Sequence, residues 1–124
     1  MSLSVSSPAN YPSFSVSDLS LARATLKERF GFDVDVQEAE TEVRLSPGDR
    51  ELALCPAIFW QVEKCSFVVA KTGPAGYRAM FFYSIKDRFG TSKEEYDNLG
   101  DCLITLLKVQ EKEHERRQQE TGVR

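Results

Sequence analysis

The sequence predicts an α+β fold: a short N-terminal helix, an antiparallel sheet of about four or five strands, and a long C-terminal helix. Three observations carry that prediction. Apolar residues recur at helical spacing up to residue 30, alternate with period two from Val34 to Ile85, and return to helical spacing after Thr91. With 124 residues and 41% apolar side chains, the chain suits one domain with one core, because two cores would leave each piece near the size that needs a staple.

Residues 1–14, with five serines, Pro8 and Pro12, read as a flexible N-terminal arm. The arm has neither a basic start nor an apolar run, so it is not read as a signal peptide, and nothing later reaches the length of a membrane span. A cytoplasmic, reducing setting is the expectation, and the three cysteines (Cys55, Cys65 and Cys102) are too few and too scattered for a disulfide scaffold.

Ser15 and Asp18 stand in capping-box spacing, and Leu19, Ala22, Leu26 and Phe30 form one apolar stripe on a helix of about four turns. Gly31 falls where a left-handed C-cap is wanted. Val34 and Val36 then alternate with Asp33, Asp35 and Gln37 as a half-buried strand, Glu38–Glu40 read as a polar turn, and Val43 and Leu45 resume the alternation. Ser46-Pro47-Gly48-Asp49 is a turn, and Glu51–Cys55 a strand ended by Pro56.

From Ala57 to Lys71 the apolar phase shifts. Trp60 and Val62 lie an odd number of positions from Phe67 and Val69, which a bulge or a turn near Glu63–Lys64 reconciles; one bulged strand and two short strands both satisfy the pattern. Thr72–Gly76 is a hairpin loop. In Tyr77–Ile85, Tyr77, Ala79, Phe81, Tyr83 and Ile85 share one face and Met80 and Phe82 the other, the mark of a central strand. Thr91 with Glu94, or Ser92 with Glu95, offers a capping box for the last helix, whose buried side carries Tyr96, Leu99, Leu103, Leu106 and Leu107. The reading therefore divides the chain into the arm at 1–14, a domain at 15–110, and a charged, frayed extension at 111–124.

No catalytic residue, cofactor site or metal site is predicted. The five acidic residues from Asp33 to Glu42 fail the calcium-loop pattern, since Glu38 stands where glycine is required and Arg44 where glutamate is. A catalytic thiol needs a base or a cation nearby, and the only histidine, His114, sits in the charged tail. Lys71-Thr72 precede the glycines at 73 and 76, the reverse of a phosphate loop. A formal charge of −3 gives no global pull toward nucleic acid.

The function expected is a small non-enzymatic interaction or regulatory module of the adaptor, assembly-factor, chaperone or inhibitor type, binding a protein partner or a second copy. Its candidate contact residues are Trp60, Arg78, Met80 and Phe82 in the sheet, with Leu106 and Val109 on the last helix. Two alternatives use the same region. One is single-stranded nucleic-acid binding by aromatics interleaved with Lys71, Arg78 and Lys86. The other is a small-molecule pocket or enzyme between sheet and helix, with Tyr77, Tyr83 or Cys65 as polar groups.

Overall fold

The computed structural model describes residues 7–8, 11–91 and 93–122. Its elements are β1 (Ser7–Pro8), α1 (Val16–Phe30), β2 (Gln37–Val43), β3 (Ala53–Val62), β4 (Cys65–Gly73), β5 (Gly76–Phe82), β6 (Arg88–Gly90) and α2 (Leu99–Gly122). The fold is α+β, as predicted. Strands β2 to β6 form an antiparallel sheet in that spatial order, and the two-residue β1 pairs in parallel with the start of β3, on the side that β4 occupies further along.

Helix α1 forms as its sequence dictates. The Ser15 hydroxyl accepts from the Asp18 amide, the Asp18 carboxylate accepts from the Ser15 amide, and Gly31 closes the helix at φ 85°. Ala22 and Leu26 are fully buried. The residues ahead of it are held as well: Phe14 is buried in the core, and the Tyr11 hydroxyl donates to the Lys71 carbonyl at 2.7 Å. The remaining residues of the predicted arm, 1–6 and 9–10, lie outside those described.

Several boundaries differ from the sequence reading. The turn expected at Glu38–Glu40 lies inside β2, paired to Pro56–Ile58, while Val34 and Val36 are buried in the connection leading to it. Pairing with β3 along its whole length overrides the turn propensity of the polar run. Pro56 does not end a strand but sits within β3. The two-residue turn makes Val62–Cys65 the closing hydrogen-bonded pair, so in steps of two Pro56 points its nitrogen toward the β4 side. The last β4 partner is at Ala57 and the last β1 partner at Leu54, so the missing donor falls in the gap between them. The ambiguous Ala57–Lys71 stretch is two strands, reversed at Glu63–Lys64 with Glu63 at φ 57°. That reversal puts Trp60 and Phe67 on one face, stacked at 5.2 Å.

β5 ends at Phe82; Ile85 lies beyond it in the turn to β6 and is 81% exposed. The last helix starts at Leu99 rather than near Thr91. Tyr96 instead exchanges two backbone hydrogen bonds of 2.8 Å with Tyr77, and the Glu95 carboxylate accepts from Thr72 and Arg78 rather than capping a helix. Asn98 takes the capping role, its Oδ1 accepting from the Asp101 amide at 3.0 Å, while Ser92 lies outside the described residues.

Both helices lie on one face of the sheet. Their apolar sides meet Ile58, Trp60, Phe67, Val69 and Phe81 to form the core with Leu99, Cys102, Leu103, Leu106 and Leu107. Beyond the core α2 still packs. Gln110 is buried, and Arg117 lies 3.8 Å over the Tyr83 ring while pairing with Glu113 and Asp87. The helix is therefore anchored well past residue 110. Among the described residues no helix is long and apolar enough to cross a membrane.

Candidate functional site

Strand pairing sorts the face opposite the helices into rows. Gln37, Phe59, Val68, Met80 and Gly90 form one row across five strands; Ala39, Ala57, Ala70 and Arg78 form the next; Gln61, Ser66, Phe82 and Arg88 lie on the other side of the first. Phe59 is 41% exposed, and Val68, Met80 and Phe82 are half-buried. A row of alanines beside a row of larger apolar side chains lowers one strip of the surface. The depression that results holds about 430 Å³ between the end of β2 (Thr41, Val43) and the Gly90–Glu94 connection, floored by Val68, Ala70 and Met80.

Arg78 builds one end of this trough. Its Nη1 donates to the Arg44 carbonyl at 2.9 Å, its Nη2 to the Leu45 carbonyl at 2.8 Å, and its Nε to Glu95 at 3.3 Å. Residues 44–45 follow β2, three strands away from β5 in the sheet, so reaching them requires β2 and its loop to curl over this face. The planar fork ties that curl to the connection preceding α2, a geometry only guanidinium supplies. Gly76 keeps the other side of the tie open, because a Cβ there would meet Thr72 Oγ1 at 2.8 Å and Glu95 Oε2 at 3.0 Å.

The predicted contact residues separate into two groups. Arg78, Met80 and Phe82 come together on the trough face. Trp60 and Leu106 are buried in the core beneath the helices, and Val109 packs half-buried against that core, so none of the three reaches the trough. Phe59 and Val68 were missed by reading strands singly. A turn fixed at Glu63–Lys64 would have aligned them, since Val62 opposite Cys65 places Phe59 opposite Val68.

The other candidates are placed as follows. Cys55, Cys65 and Cys102 are buried free thiols. Burial pushes Cys65 up to about 11 and Cys102 up to about 12, so both are protonated and unreactive at neutral pH. Burial likewise raises Tyr77 and Tyr83 above the ordinary phenol value. Lys71 is 6% exposed, its ammonium donating to the Ser13 carbonyl. Glu38, Glu40 and Glu42 line one face of the edge strand β2, and no group of carboxylates, thiols or histidine among the described residues is arranged to hold a metal ion. No family model matches the chain, and neither a curated protein nor a solved structure resembles it at a significant level.

Proposed function

We propose that this protein is a non-enzymatic binding module that receives an amphipathic helix of a partner protein in the sheet trough. The observation that carries the reading is the apolar row Phe59–Val68–Met80, flanked by Phe82, on the face the helices leave uncovered. The backbone groups of the floor are already paired within the sheet, so an occupant gains side-chain contacts only. An extended peptide laid across it would bury its own unpaired N–H and C=O groups, whereas a helix satisfies its own. Two concave faces leave a void between them, which favours a convex partner over a second copy. Charges of both signs (Glu42, Arg44, Lys93 and Glu94) rim the trough, as polar rims surround apolar interface centres. The nucleic-acid alternative loses two of its three basic residues, because Lys71 is buried and Arg78 is bound to carbonyls and Glu95.

The test places a photoreactive benzophenone side chain at position 80 and identifies the cross-linked peptide by mass spectrometry. The reading expects that peptide to fall in an amphipathic helix, a synthetic copy of it to bind the purified protein, and Phe82→Glu and Met80→Glu each to weaken binding by about tenfold or more with the fold intact. Cross-links to a second copy, with dimers in light scattering, would replace the helix by self-association. Binding of the synthetic helix unaffected by both charge substitutions would remove the trough from the account.

A further inference from the structure

Hydrogen-bonded pairs between β3 and β4 recur in steps of two from Val62–Cys65, so the pair after Ile58–Val69 would be Pro56–Lys71. Proline has no N–H, and the Lys71 carbonyl faces a position without a donor. The Tyr11 hydroxyl fills that position, donating to the Lys71 carbonyl at 2.7 Å. We propose that residues 11–14 form a detachable strap, latched by Tyr11 in place of the missing ladder bond, that gates access to the Cys55 thiol.

Cys55 differs from the other two thiols in where it is buried. It is fully buried, yet it stands apart from the core beneath the helices that encloses Cys65 and Cys102. Its register partner in β2 is Thr41, which puts it on the trough side of the sheet. The hydroxyl that bonds Lys71 also engages the Cys55 thiol, so Tyr11 is part of its cover. Lifting the strap uncovers Cys55, whereas Cys65 and Cys102 are uncovered only when the helices part from the sheet.

The strap is anchored at one end and lightly tied at the other. Phe14 is 6% exposed, and its ring lies 6.2 Å from that of Tyr77, which fixes the end next to α1. Pro12 and Ser13 are exposed. Ahead of Phe14 the ties are the Tyr11 bond, a bond of 3.3 Å from the Lys71 ammonium to the Ser13 carbonyl, and the two-residue pairing of β1 with Ala53 and Leu54. Docking also buries the Lys71 ammonium against a carbonyl rather than a carboxylate, and the cost of burying that charge opposes the bonds gained. Opposing contributions of similar size leave the docked and released states close in free energy. None of this depends on what the trough binds, so the strap and the proposed function can fail separately.

The experiment treats the full-length protein with iodoacetamide at about pH 8 and follows each cysteine by peptide mass spectrometry, with rates normalised to those of the urea-unfolded chain. Cys55 should react at least about tenfold faster than Cys65 and Cys102. Tyr11→Phe, which keeps the ring and removes the donor, should speed Cys55 about fivefold and leave the other two unchanged. Pro56→Ala restores an amide opposite Lys71, so in that background Tyr11→Phe should change the Cys55 rate by less than about twofold. If Pro56→Ala fails to fold, the first two comparisons still decide the matter. Reaction of Cys55 as slow as that of Cys65 and Cys102, a Tyr11→Phe effect absent at Cys55 or shared by all three thiols, or an undiminished effect in the Pro56→Ala background would overturn the proposal.

Discussion

Replacing Arg78 by methionine removes three hydrogen bonds while leaving the stem that lies over the trough floor. The two carbonyl bonds at 2.9 and 2.8 Å are charge-assisted, a class worth about 1.5–3 kcal/mol each when fully buried. The Arg78 side chain is 21% exposed and Glu95 is 49% exposed, so water replaces part of each bond and the ion pair adds well under about 1 kcal/mol. About 1 kcal/mol for each carbonyl bond and a fraction for the pair gives a loss of roughly 2–3 kcal/mol, near 8–12 °C in Tm for a domain of this size. Urea and thermal denaturation measure the loss, and amide hydrogen exchange locates it, with faster exchange expected around residues 44–45 and 90–95. Arg78→Lys should recover less than half, because an ammonium cannot fork between two carbonyls. A loss below about 0.5 kcal/mol for methionine, or wild-type stability for lysine, would refute the clamp.

Three further outcomes follow from other parts of the fold. Glu63 holds φ 57° in the β3–β4 turn, so Glu63→Gly should stabilise by roughly 0.5–1 kcal/mol and Glu63→Val should destabilise by about 1 kcal/mol or more, as thermal melts will report. The thiols of Cys65 and Cys102 and the phenols of Tyr77 and Tyr83 are all raised by burial, so their protonated forms are bound more tightly in the native state. Stability should hold up to about pH 8 and fall as pH rises from about 9 toward 12, and a thiol reagent at pH 8 should label the native protein far more slowly than the unfolded one. Arg117→Ala should cost about 0.5–1.5 kcal/mol through the lost contact with Tyr83 and should speed amide exchange in the last turns of α2.

What the sequence made legible was whatever is decided locally. The Ser15–Asp18 box and Gly31 bound α1 because caps are made within a few residues, and the alternation in Tyr77–Phe82 sorted Tyr77 and Phe81 from Met80 and Phe82. What it hid depends on pairing. Glu38–Glu40 is strand because β3 supplies its partners, and Glu95 is drawn from a capping position by Arg78 and Thr72, each more than a dozen residues away in the chain. The candidate face was half legible. Met80 and Phe82 show in one strand, but Phe59 and Val68 join them only once the Glu63–Lys64 turn sets the register. Arg78 is legible as a cation in a strand, yet its role follows from the curl of β2, which no single strand encodes. Trp60 reads as part of the exposed apolar sheet surface with the Tyr77–Ile85 strand, and the pairing set by the turn places it in the core opposite Phe67.

The claim on which the rest depends is that the helices cover one face of the sheet and leave the other open. Solvent paramagnetic relaxation with a neutral gadolinium chelate, read at side-chain methyl groups, measures this directly. The methyls of Val68 and Met80 should relax strongly, while those of Ile58 and Val69, fully buried on the helix face, should be nearly unaffected. Protection of Val68 and Met80 equal to that of Val69 would mean the trough is covered in solution, and would contradict the account.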